Sequence, residues 1–123
     1  MKTAREACDR AFAMLGYVDR IGNYDEEKFA PQYRKQLQIC QTVIDELSRI
    51  EGIERKDIES LDEELTLSDT SINLVMPYGL AMWFAQMDGD GTQQQLFSIH
   101  YNQKMGLVPK AQKTVTLKYI PNE

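Results

Sequence analysis

The sequence predicts a mainly α protein: a small bundle of about four helices with a long second helix, and a C-terminal arm that alternates like a β-strand. Three features predict it. Apolar residues recur three and four apart through most of the chain, glycine and proline punctuate those runs, and only residues 114–120 repeat with a period of two. The 123 residues fit one domain. The pattern divides them into a helical bundle over residues 1–109 and an arm over 110–123.

The first helix is expected over residues 3–15, where Ala4, Ala7, Cys8, Ala11, Met14 and Leu15 share a face and Gly16 sits where a C-terminal cap belongs. The second is expected over residues 25–50. Asp25, Glu26 and Glu27 suit its positive end, and Phe29, Tyr33, Leu37, Cys40, Ile44 and Leu47 form its apolar stripe. Pro31 falls in or near the first turn, so the regular helix can begin as late as Ala30. Residues 53–70 form an acidic connection, with a short helical turn expected at 56–60 and a brief extended piece at 65–67.

Ser68, Asp69 and Ser71 offer N-caps for a third helix over 71–87. That helix is apolar on nearly every side, including Trp83 and Phe84, which places it in the middle of the bundle. Pro77 removes the hydrogen bond to the Asn73 carbonyl and should kink the helix or mark its start, and Gly79 should let another backbone approach. After a turn at 88–91, a fourth helix over 92–105 should bury Leu96, Phe97, His100 and Tyr101. The strand-like arm has no obvious hairpin partner; its candidate intrachain partner is residues 64–68.

Composition narrows the function. Apolar residues at 42% and charged residues at 27% are those of a globular chain. Residues 1–8 lack the apolar core of a signal peptide and no run of about 18 apolar residues occurs, so a cytoplasmic protein is expected. In that reducing setting Cys8 and Cys40 read as small buried hydrophobes. A net charge of −5 argues against a protein that grips nucleic-acid phosphates. Residues 51–70 carry eight acids against Arg55 and Lys56, whereas residues 101–123 carry four lysines against one acid. Glu59, Asp62, Glu63 and Glu64 on one side, and Lys113, Lys118 and Tyr119 on the other, are therefore candidate contacts between subunits.

No catalytic, cofactor or metal site is expected. Counted from Asp88, the twelfth residue is Ile99 rather than the glutamate of a calcium loop. His100 is the single histidine, and it has no short-spaced cysteine partner of the kind zinc sites use. Nor does any serine or cysteine stand in a nucleophile signature, or a glycine-rich loop follow a strand. The chain reads as a non-enzyme.

Taken in order, the parts resemble a known family. They are Ala11-Phe12-Ala13-Met14-Leu15-Gly16, a long helix with Leu37, Ile44 and Leu47, the acidic run Ile58-Glu59-Ser60-Leu61-Asp62-Glu63-Glu64-Leu65, the step Met76-Pro77-Tyr78-Gly79-Leu80-Ala81, and a final helix with Phe97 and Tyr101. This order over residues 4–105 resembles the head–tail connector (adaptor, or head-completion) proteins of tailed bacteriophages and prophages. The resemblance implies a structural helical bundle that forms a homo-oligomeric ring under the portal and extends the DNA channel. It implies the portal and a tail or stopper protein as partners, DNA only as passing contents, and a location in the host cytoplasm during assembly and then in the virion neck. It brings no catalytic residue. Two other readings stand beside it: a cytosolic helical scaffold or regulatory module that binds a partner protein through the third helix, and a small-molecule binder with a pocket near Trp83.

Overall fold

The computed structural model describes residues 2–18 and 27–110, which are mainly helical, as predicted. In order they form α1 (Ala4–Met14), α2 (Ala30–Arg34), α3 (Gln36–Glu51), a π-helical turn (Ser71–Val75) that runs into α4 (Met76–Met87), and α5 (Gly91–Lys104), which closes in a 3-10 turn (Met105–Leu107). The strand expected at 114–120 lies outside the described residues, as do Lys113, Lys118 and Tyr119.

Helix α1 forms as its pattern requires. Thr3 is extended, and its hydroxyl accepts the Glu6 N–H; Ala4, Ala7, Cys8, Ala11 and Phe12 make the buried face. Gly16, at φ 78°, takes the left-handed conformation that ends the helix, which a residue with a Cβ adopts only with strain. Tyr17 then folds back, its ring stacked on Phe29 at 3.9 Å between centroids.

The expected second helix is two helices. Pro31 stands in the first turn of α2, and the chain breaks at Lys35 (φ −102°, ψ 6°), whose N–H is shared between the carbonyls of Pro31 and Gln32. The break separates Phe29 and Tyr33 from the rest of the expected stripe. Ile39, Cys40, Val43, Ile44 and Leu47 point inward along α3, while Leu37, expected in the stripe, is 37% exposed. The helical turn expected at 56–60 is absent; residues 53–58 are irregular and Glu59 and Ser60 form a bend.

Helix α4 lies at the centre, packed against α5, α1 and α3. Met76, Leu80, Ala81 and Phe84 are fully buried. Phe84 meets Phe12 of α1 at 4.7 Å, and Phe12 in turn meets Tyr17 and Tyr33. Pro77 acts without breaking the helix. The turn before it widens, so that the Met76 N–H bonds to the Ser71 carbonyl five residues back. The Asn73 carbonyl, which lacks the Pro77 N–H, instead accepts a hydrogen bond from Arg10 Nη1 of α1 at 2.8 Å.

Gly79 does admit a close neighbour, but that neighbour is a ring. A Cβ there would stand 2.7 Å from Cε1 of Tyr101. Tyr101 crosses α4 at this gap, and its hydroxyl donates to Glu46 Oε1 of α3 at 2.7 Å, tying the last helix to the long one. Burial and this bond to a carboxylate push the Tyr101 phenol well above its ordinary range, so it stays a neutral donor.

Candidate assembly surfaces

The acidic connection is held down by side chains rather than by secondary structure. Its backbone between 53 and 68 forms no helix, so its polar groups need partners from elsewhere. Gln41 of α3 supplies two of them: Nε2 donates to the Lys56 carbonyl at 2.9 Å, and Oε1 accepts the Ile58 N–H at 2.8 Å. At the far end Glu51, only 6% exposed, takes the Ser68 N–H at 3.1 Å, the Ser68 hydroxyl at 2.8 Å and the Ser71 hydroxyl at 2.5 Å. Ser68 Oγ also accepts the Ser71 N–H, which makes Ser68 the N-cap that the sequence offered. A carboxylate in the last turn of α3 opposes that helix's own dipole, yet it sits beside the positive end of the helix that follows. That positive end and the hydrogen bonds from Ser68 and Ser71 explain why an acid can be buried there.

Of the four acids expected to meet a partner, two are already engaged within the chain. Asp62 receives a two-pronged bond from Arg5, through Nε at 2.5 Å and Nη2 at 3.1 Å, and the guanidinium holds its carboxyl below the usual range. Glu63 accepts the Glu59 N–H at 2.6 Å. Glu59 and Glu64 leave their side chains exposed. The extended piece expected near 65–67 begins at Glu64, which pairs with Thr3 in a single antiparallel bridge, while the Leu65 N–H bonds to the Lys2 carbonyl. The N-terminus thus occupies one edge of the segment named as a partner for the arm.

Elsewhere in the belt Arg55 reaches Asp45 and Asp57, at 2.9 and 2.7 Å. Asp69 lines an open polar cleft of about 780 Å³ with Lys2, Glu6, Asp9, Arg10 and Asn73. Glu54, Glu59, Glu64 and Asp69 therefore remain as the belt's outward charge.

A second surface has the opposite character. Residues 91–103 contain no Asp, Glu, Lys or Arg, in a chain with 27% charged residues. Asp90 caps α5, its Oδ1 accepting the Gln93 N–H at 3.0 Å. Phe97 and Tyr101 bury the inner side of the helix, and His100 is half-buried beside the rings of Phe97 and Tyr78. Leu96, expected inside, is 48% exposed and Ile99 is 49% exposed. Phe97 and Tyr101 lie four apart and set the buried stripe; Leu96 and Ile99 flank it on the outside with Gln95 and Gln103.

Trp83, on the helix expected in the middle of the bundle, is half-buried rather than in the core. It borders a shallow groove of about 260 Å³ with Lys35, Gln38, Ile39, Thr42 and Met87, between α3 and α4. Its Nε1–H is enclosed and has no acceptor among the described residues.

Among the described residues no three His, Cys, Asp or Glu side chains are grouped to hold a metal ion, and no helix is long and apolar enough to cross a membrane. Comparison with protein-family models, curated proteins and solved structures gives no match for this chain.

Proposed function

We propose that this chain is a structural subunit of a phage or prophage virion, of the head–tail connector kind, forming a ring below the portal and extending the DNA channel. The observation that carries the reading is the joint between the two most particular parts of the resemblance. In the Met76-Pro77-Tyr78-Gly79-Leu80-Ala81 step, Gly79 leaves the gap through which Tyr101 of the final helix passes to Glu46. One short stretch thereby sets the position of α5, and α5 carries an uncharged outer face with Leu96 and Ile99 exposed.

A ring closed by rotation needs two different complementary patches on each subunit. The α5 face can lie against a neighbouring copy without any charge to compensate. Glu59 and Glu64, with Lys113, Lys118 and Tyr119 of the arm, supply the polar remainder. A net charge of −5 suits a bore through which DNA slides without being gripped.

Analytical ultracentrifugation and negative-stain microscopy, of the chain alone and of the chain mixed with a phage portal protein, test this. Rings, or a stable complex with the portal, are expected. Deleting the residues after Lys110 should leave the helices folded while weakening assembly. A chain that stays monomeric at every concentration and ignores the portal would remove the reading. The second reading, a cytosolic scaffold or regulatory module, is favoured by the Trp83 groove. It predicts one-to-one binding of a partner peptide, detected as a shift in Trp83 emission, with no ring.

A further inference from the structure

Two sulfurs face each other inside the bundle. Cys8 lies on the buried face of α1 and Cys40 on that of α3; both are 0% exposed, and their Sγ atoms stand 3.1 Å apart. A disulfide needs about 2.05 Å between sulfurs, so closure requires them to approach by roughly 1 Å, within reach of a small side-chain adjustment. Ala4, Ala7 and Ala11 around Cys8 keep that face of α1 thin. Helix α1 packs chiefly against α4 and only lightly against α3, so a covalent tie here would add a link that packing supplies weakly.

We propose that Cys8 and Cys40 form a redox site: a dithiol that a small peroxide converts to an intramolecular disulfide stapling α1 to α3. One thiol gives up its proton and, as thiolate, attacks a peroxide oxygen; the O–O bond breaks, the departing hydroxide takes up that proton and leaves as water, and a sulfenic acid remains. The second thiol gives up its proton and attacks that sulfur, the S–O bond breaks, and a second water leaves. In sum, two thiols and one hydrogen peroxide give one disulfide and two waters. The neighbouring sulfur and burial push the Cys8 thiol up, so the reaction is slow at neutral pH and proceeds when α1 opens locally. Once formed, the bond closes the chain between positions 32 apart and restricts the unfolded state.

The test treats the full-length protein with hydrogen peroxide at neutral pH. It then counts thiols after denaturation, measures intact mass, and compares melting with the Cys8→Ala/Cys40→Ala double variant. Expected are loss of both thiols, a mass lower by two hydrogens on the unmodified-methionine species, monomers on a non-reducing gel, and reversal by dithiothreitol. The oxidised form should melt higher than the reduced form by on the order of 10 °C, with no such gain in the double variant. Mass gained as oxygen on the cysteines, disulfides between chains, thiols that survive until the protein is unfolded, or a lower melting temperature would each overturn the proposal.

Discussion

The acidic connection and helix α5 hold themselves in place by opposite means. Between residues 53 and 68 the backbone has little regular structure, so its polar groups are met from elsewhere, by the side chains of Gln41 and Glu51 and by the backbone of Lys2 and Arg5. Helix α5 satisfies its own backbone and is fixed by two buried rings, Phe97 and Tyr101, leaving its outer half to solvent. A region held by polar clamps fails steeply when one clamp is removed, because buried donors are left unmet. A region held by ring packing tolerates almost anything on its far side.

The largest effect should come from Glu51→Ala. It strips the acceptor from the Ser68 N–H and from the Ser68 and Ser71 hydroxyls, in a place that water does not reach freely. Denaturant unfolding should show a loss of about 3 kcal/mol, the sum expected for a charged acceptor and the donors it abandons. Glu51→Gln, which keeps one oxygen, should lose about half of that. If Glu51→Ala unfolds like the wild type, the clamp is decoration and the contrast between the regions collapses.

Next comes Gly79→Ala, which sharpens the other side. The new methyl would meet the Tyr101 ring at 2.7 Å, and that ring cannot swing away without leaving Glu46. Overpacking costs about 1–3 kcal/mol, and the gain in helix propensity returns up to about 1. A net loss near 1–2 kcal/mol is expected. Tyr101→Phe alone should cost about 1 kcal/mol, because the hydroxyl is lost but the ring stays. Were the two variants to behave alike, the hydrogen bond rather than the ring would hold α5.

Arg10→Ala should be milder still. The Asn73 carbonyl loses its donor, but the pair is exposed and water replaces it, so less than about 1 kcal/mol should go. A loss of 2 kcal/mol or more would mean that Arg10 maintains the π-helical turn itself.

Much of the helical frame was legible in the sequence, for reasons that were local. Thr3, Ser68 and Asp90 announce helix starts, Gly16 announces an end, and Pro77 marks the bond that cannot form. The misses came where one local rule met a neighbour it could not see. Leu37 fits the stripe by its spacing, but it stands in the first turn of α3 at the margin of the face that Ile39, Cys40, Val43, Ile44 and Leu47 bury, and it is left exposed. Leu96 reads as core until Phe97 and Tyr101 choose the buried side.

Glu51 left no signal at all. A glutamate in a helix's last turn reads as solvated, and its partners lie 17 and 20 residues further on. The acidic belt looked like eight equivalent charges, but Glu51, Asp57, Asp62 and Glu63 are drawn into bonds within the chain. Only spatial neighbours reveal which acids remain outward.

The smallest change in stability, and the sharpest test of what α5 is for, should come from Leu96→Asp with Ile99→Asp. Both side chains are about half exposed, at 48% and 49%, and neither belongs to the buried stripe. Substitution at such sites shifts folding by about 0.5 kcal/mol each, partly from the weaker helix propensity of Asp. Circular dichroism and unfolding should therefore stay close to wild type. Association should not. An interface centred on an uncharged helix face loses affinity sharply when two carboxylates must be desolvated against it, and a copy-to-copy contact would suffer this at every repeat round a ring. If the wild-type chain forms the proposed ring, sedimentation should show the variant held at the monomer under the same conditions. Adding salt should recover little, since desolvation rather than long-range repulsion opposes the contact. If the variant folds and sediments like the wild type, the outer face of α5 is plain solvent-facing surface, and the proposed ring would have to rest on Glu59, Glu64 and the arm instead.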